Sequence, residues 1–207
     1  MALYNREMER FDPKVSDSLA SFTSESGPIN GVWTIDMGGV PLDFQVEDRG
    51  SPATVVFLSA ALPAGPRRLP TFIGSGISEA LPLNCIRISD PSLALSNSLG
   101  IAWYAGFDGV DLPAVLVEVI RHVQARLGAQ HLSLFGASAG GFASLSLGQL
   151  LGPALSIAVN PQTVIERYAE EAWFAYMRDC WLFTIEGVVR VWSGAAGRTG
   201  VRVEVFR

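Results

Sequence analysis

His131-Leu132-Ser133-Leu134-Phe135-Gly136-Ala137-Ser138-Ala139-Gly140-Gly141-Phe142-Ala143-Ser144-Leu145-Ser146-Leu147 is the stretch whose reading decides the fold. It opens as a short apolar run, which suits a buried strand, and closes as a run of small and apolar residues, which suits a packed helix. Between them stands Gly136-Ala137-Ser138-Ala139-Gly140, a Gly-x-Ser-x-Gly turn. A chain that passes from strand to helix within so few residues forces the central residue into a strained backbone conformation. Side chains two positions either side of that residue would clash, and Gly136 and Gly140 fill those positions. The spacing therefore predicts that the Ser138 hydroxyl stands out above the sheet edge. It also points the backbone N–H of Ala139, and the helix start behind it, at any negative charge forming nearby.

Working outward, the flanking segments read as an alternating α/β chain. Val32-Trp33-Thr34-Ile35-Asp36 and Leu42-Asp43-Phe44-Gln45-Val46 flank Gly38-Gly39 as an antiparallel hairpin. Thr54-Val55-Val56-Phe57-Leu58, Asn84-Cys85-Ile86-Arg87-Ile88 and Leu155-Ser156-Ile157-Ala158-Val159 read as further buried strands. Residues 113–127 carry a helical pattern, with Asp111 near the start and Gly128 just past the end. A second helix is expected from Val164 to about Arg178. Strands alternating with helices predict a mostly parallel sheet with right-handed crossovers, preceded by the antiparallel hairpin. In such sheets chemistry collects at the carboxyl ends of the strands, where Ser138, Asp90, Asn160 and the loop after Leu58 all fall.

Composition bounds what the chain can do. Its 207 residues are enough for one domain with a substantial core, and 17% charged residues with 49% apolar ones mark a globular protein. Residues 1–30 read as a polar, loosely packed arm, 31–180 as the α/β body, and 181–207 as a divergent tail of the same domain. A net charge of -5 offers no footprint for nucleic acid or an anionic membrane surface. Lys14 is the single lysine. The long weakly polar stretch from Leu132 to Val159 is interrupted by glycines and Pro153, so a membrane span is not expected there. Cys85 and Cys180 fit neither a disulfide framework nor a metal-ligand spacing, and no metal or organic cofactor is indicated. With no apolar leader near Met1, a cytoplasmic location is expected.

From Gly31 to Tyr168 the chain resembles the α/β-hydrolase superfamily, in which a Gly-x-Ser-x-Gly turn forms the nucleophile elbow. The resemblance implies a three-layer α/β sandwich in which Ser138 is acylated by an ester, thioester or similar bond of a small-molecule substrate. It also implies an oxyanion hole combining the N–H of Ala139 with one from Ser59-Ala60-Ala61, of which Ala60 is the middle choice. In that family the serine is followed by an acid and then a histidine, and Asp179 stands near where the acid is expected.

No histidine follows Ser138. A serine hydroxyl is a weak nucleophile at neutral pH and needs a base within hydrogen-bond reach. His131 begins the same strand as Ser138, roughly 23 Å away at about 3.3 Å per residue. His122 falls near the middle of the helix before it and reads as a solvated surface side chain. Residues 181–207 contain six valines, four glycines and four arginines but no His or Asp. They read as two strands around a Gly/Ala turn, and as truncated or altered relative to the family. An alternative to the hydrolase is therefore a catalytically impaired module of the same fold that binds a small molecule or partner. A nucleotide-binding loop is disfavoured, because serine stands where the dinucleotide pattern needs glycine and no Lys-Ser/Thr pair follows. Among the aromatics, Trp103-Tyr104 is the best pocket candidate, with core or lid packing the plainer role for Trp33, Trp173, Phe174 and Tyr176. The oligomeric state is not legible in the sequence.

Overall fold

The computed structural model of the chain describes residues 4–63 and 67–181. Its centre is β4 (Ala53–Leu58), an apolar run buried on both faces and flanked by a strand on either side. β5 (Asn84–Ile88) pairs with it in parallel on one side and β6 (His131–Ala137) in parallel on the other. β7 (Leu155–Val159) extends the sheet in parallel beyond β6. On the opposite wing, β2 (Gly31–Asp36) and β3 (Pro41–Glu47) form the expected hairpin, and β3 joins β5 antiparallel. A three-residue β1 (Lys14–Ser16) lies parallel to β2 at the edge. Among the described residues seven strands run in the order β1-β2-β3-β5-β4-β6-β7.

This order has a consequence for the site. The chain leaves β4 toward β5 on one side, whereas it leaves β6 toward β7 on the other. The carboxyl ends of β4 and β6 therefore open a crevice at the point where the connections diverge, the usual ligand position in sheets of this class. Leu58 is in register with Gly136, so the loop after β4 and the turn after β6 face one another across it.

Helix α3 (Leu112–Arg126) and helix α4 (Ala139–Leu151) cover one face of the sheet. Leu112, Leu116, Val119, Ile120 and Val123 of α3 pack with Ala143, Leu147 and Leu151 of α4 against Val56, Leu58 and Leu134. Helix α3 begins where Asp111 accepts a hydrogen bond from the Ala114 N–H and ends before Gly128, whose φ of +63° closes the turn. The other face of the central strands, at Val55, Phe57 and Cys85, is covered by Ile73 and Leu83, which flank the short α2 (Ser75–Ser78).

Three expectations change. Part of the amino-terminal segment expected to be loosely packed is packed: α1 (Leu19–Ser24) drives Phe22 to complete burial against the rings of Trp33, Phe44 and His122. β7 is not a buried strand, since Leu155, Ile157 and Val159 are all substantially exposed at the sheet edge among the described residues. The helix expected over 164–178 divides into a 3₁₀ turn, Ile165–Arg167, and α5 (Glu170–Cys180). Ala169 is extended between them, and Glu170 and Glu171 favour a fresh helix start because carboxylates complement the positive end of the helix dipole. The two strands expected within 181–207 lie outside the described residues.

Candidate functional site

Ser138 stands at the apex of the β6–α4 turn with φ +54° and ψ -114°, a region that a residue with a β-carbon enters at a cost of about 1–3 kcal/mol. The packing around it over-determines that conformation. A methyl group at Gly140 would stand 2.1 Å from the Leu58 carbonyl oxygen, and one at Gly136 would stand 2.1 Å from the Gly140 oxygen. Glycine at both positions lets the helix start press against the end of β4. The Ser138 N–H donates to the Val159 carbonyl, which ties the turn to the end of β7.

Ala139 is the first residue of α4 and is buried. The first N–H groups of a helix have no intrahelical acceptor, which leaves the Ala139 N–H, next to Ser138, without one. Across the crevice, the Ser59 N–H is already used: it donates to the Tyr104 hydroxyl at 2.7 Å. The Ala60 N–H has no acceptor among the described residues. Of the three residues considered for the second donor, Ser59 is thereby removed, and Ala60 and Ala61 stay open.

The side chain that meets Ser138 is Gln162, which the sequence did not single out. Its Nε2 lies 2.5 Å from Ser138 Oγ and donates to it. Its Oε1 accepts from the indole Nε1 of Trp103, also at 2.5 Å. Asn160 takes a left-handed φ of +45°, so the chain doubles back after β7 and Pro161 packs against Gly141. A left-handed Asn followed by Pro at a strand end signals such a reversal, but it does not say which side chain returns to the crevice. Ser138, Asn160, Pro161, Gln162, Val164 and Tyr168 border an open groove of about 310 Å³.

Trp103 reaches Gln162 from a tightly held loop. Trp103 and Tyr104 both have φ +57°, and both are buried. The Tyr104 N–H donates to Asp90 Oδ2 at 2.7 Å, and its hydroxyl donates to the Ile88 carbonyl while accepting from Ser59. Asp90 thus anchors this loop. Its other oxygen accepts from the Ser92 N–H, and burial raises its carboxyl above the ordinary value. Trp103 and Tyr104 pack into the interior instead of lining the groove.

The remaining candidates stand elsewhere. Asp179, in the last turn of α5, accepts from Ser98 Oγ at 2.6 Å and from the Arg178 guanidinium; the Arg178 and Ser98 contacts hold its carboxyl well below the usual range. It makes no hydrogen bond to Ser138. His131 is exposed at the amino end of β6, the end away from Ser138. His122 is half-buried rather than solvated: its ring meets Phe22 edge-on at 5.0 Å, its Nε2 is buried without a partner, and burial with nearby Arg126 lowers its pKa. Among the described residues no group of three His, Cys, Asp or Glu side chains is placed to hold a metal ion. No helix among them is long and apolar enough to cross a membrane.

No family model matches the chain, and no curated protein matches it either. Solved structures do. The capsule O-acetyltransferase of Neisseria meningitidis serogroup A is 16% identical over 73% of this chain and 59% of its own, with a TM-score of 0.51. A second structure of that enzyme matches at 16% identity over 69% and 62%, with a TM-score of 0.50. An α/β serine hydrolase from Xanthomonas campestris matches at 22% identity over 70% and 67%, with a TM-score of 0.44. The chain spans about three fifths of the length of the Neisseria enzyme. At such identities the likeness is one of fold, and the mixed seven-stranded sheet is α/β-hydrolase-like.

Proposed function

We propose that Ser138 is the acyl acceptor of a serine-hydrolase-type reaction on an ester, thioester or similar acyl bond of a small molecule. The observation that carries this reading is the strained conformation of Ser138 at the diverging ends of β4 and β6. A strand-to-helix turn of this kind, held by Gly136 and Gly140, is the geometry of a nucleophile elbow. The Ala139 N–H and a donor from Ala60 would together receive the oxyanion that forms as Oγ attacks an acyl carbon. The helix start adds its positive end to the same corner. Asp179 takes no part in this reading, because Ser98 and Arg178 already occupy its carboxylate.

The experiment is covalent labelling by a fluorophosphonate, which captures a presented serine. Stoichiometric labelling that disappears in Ser138→Ala is the expected result. Folded protein that stays unlabelled would overturn the reading. It would favour instead an impaired module that binds a small molecule in the groove. One observation speaks for that second reading: the group bonded to Ser138 Oγ is an N–H donor, and a donor cannot take the hydroxyl proton.

A further inference from the structure

The hydrogen bond at Ser138 has a direction, and Trp103 sets it. An indole nitrogen only donates. With Trp103 Nε1 at 2.5 Å from its side chain, Gln162 must turn its oxygen to the indole and its NH2 to Ser138 Oγ. Trp103 is 1% exposed and Gln162 9%, so a flipped amide would bury two N–H donors face to face with no water to separate them. The indole cannot yield, because its loop is fixed by Asp90 and by the Tyr104 hydroxyl. Ser138 therefore receives a proton donor at its oxygen, and Gln162 offers no acceptor for the hydroxyl proton.

We infer that the Trp103–Gln162 pair makes Ser138 a single-use acceptor that takes one acyl group from an activated ester and retains it. This rests on the acyl-acceptor reading above. In the uptake step the bond from Oγ to the acyl carbon forms and the bond from that carbon to the leaving oxygen breaks. The leaving group departs with the electron pair as a stable anion, and because that departure is easy the weak serine nucleophile reacts without a side-chain base, its hydroxyl proton passing to solvent water in the open groove. An activated ester needs no acid to assist that departure. Release is different, since the acyl carbon now sits in an alkyl ester whose leaving group, the Ser138 alkoxide, is poor, and water attacks such an ester at a useful rate only when a base takes its proton. Among the described residues the polar side chain in contact with Oγ is a donor, and Trp103 keeps it one.

Mixing the protein with p-nitrophenyl acetate tests this. The expected trace is a burst of one nitrophenolate per protein followed by a rate near background. The Ser138 peptide should carry the mass of one acetyl group, still present after the reagent is removed. Continued release that vanishes in Ser138→Ala would overturn the inference. So would an unacetylated Ser138 in protein that the fluorophosphonate labels, whereas failure of both reagents would overturn the acyl-acceptor reading itself. Gln162→Glu gives a second arm. A carboxylate of the same shape accepts from Trp103 with one oxygen and from the Ser138 hydroxyl with the other. Steady turnover at least about 100-fold above the original chain is expected, rising with pH as the carboxyl ionises. A fluorophosphonate-labelled Gln162→Glu protein without that turnover would overturn the role given to the amide.

Discussion

The loop between β5 and α3 and the turn between β6 and α4 both hold residues with side chains in left-handed backbone, at Trp103, Tyr104 and Ser138. They differ in what becomes of the polar groups. In the first, Asp90 and Tyr104 are each 2% exposed, and the Asp90 carboxylate and the Tyr104 N–H and hydroxyl all have partners. In the second, the Ser138 hydroxyl borders an open groove and, among the described residues, hydrogen-bonds to a single side chain. Strain of one kind is thus put to two uses. Where buried hydrogen bonds consume the polar groups of Asp90 and Tyr104, it builds a support. Where one hydroxyl is left at a crevice, it builds a site. The two corners are also joined, since the indole held by the sealed loop orients the amide at the open one.

The comparison breaks most severely at Gly140. Gly140→Ala would drive a methyl group into the Leu58 carbonyl, a contact with backbone that cannot swing away. A loss of about 3 kcal/mol in urea unfolding is expected, with loss of fluorophosphonate labelling at Ser138. Tyr104→Phe attacks the sealed corner instead. It leaves the Ser59 N–H and the Ile88 carbonyl without their partner, which should lower stability by about 2 kcal/mol and alter the labelling rate of Ser138 through Trp103. An unchanged labelling rate would show that the corners are independent.

Asp90→Asn is milder and carries a pH signature. One oxygen acceptor is lost opposite the Tyr104 N–H, and about 1 kcal/mol should follow near neutral pH. Burial raises the Asp90 carboxyl above 3.8, so the folded state binds a proton more readily than the unfolded chain. This group therefore makes stability fall as pH climbs from that ordinary value through the raised one, and adds no slope above it. Asp90→Asn should remove that slope from unfolding free energies measured between acid and neutral pH. The smallest effect belongs to Asp179→Asn. Its partners are Ser98 and Arg178 at the surface, so Ser138 labelling should proceed at the original rate.

Much of this was legible because it is local. The Gly-x-Ser-x-Gly spacing places both glycines within two residues of the strain they relieve, and the Asp111 cap and Gly128 stop lie within one helix. The segment around α1 and β1 was not legible, because a six-residue helix and a three-residue strand carry too few apolar positions to show a period. Phe22 becomes a core residue only through the rings of Trp33 and Phe44 that the sheet brings beneath it. β7 misled for the opposite reason. Leu155, Ile157 and Val159 have the composition of a buried strand, but a strand's burial depends on its neighbours, and among the described residues β7 stands at the edge.

By itself, the sequence determined that a serine would be presented between a strand and a helix, because that turn is a steric problem solved within five consecutive residues. Only the tertiary structure decided what the serine meets. Gln162 lies 24 residues beyond Ser138, and Trp103 lies 59 residues before Gln162. The direction of a hydrogen bond depends on which donors and acceptors packing brings within about 3 Å of one another. A lone Gln after Asn160-Pro161 carries no mark of that encounter, and the order of the strands creates it.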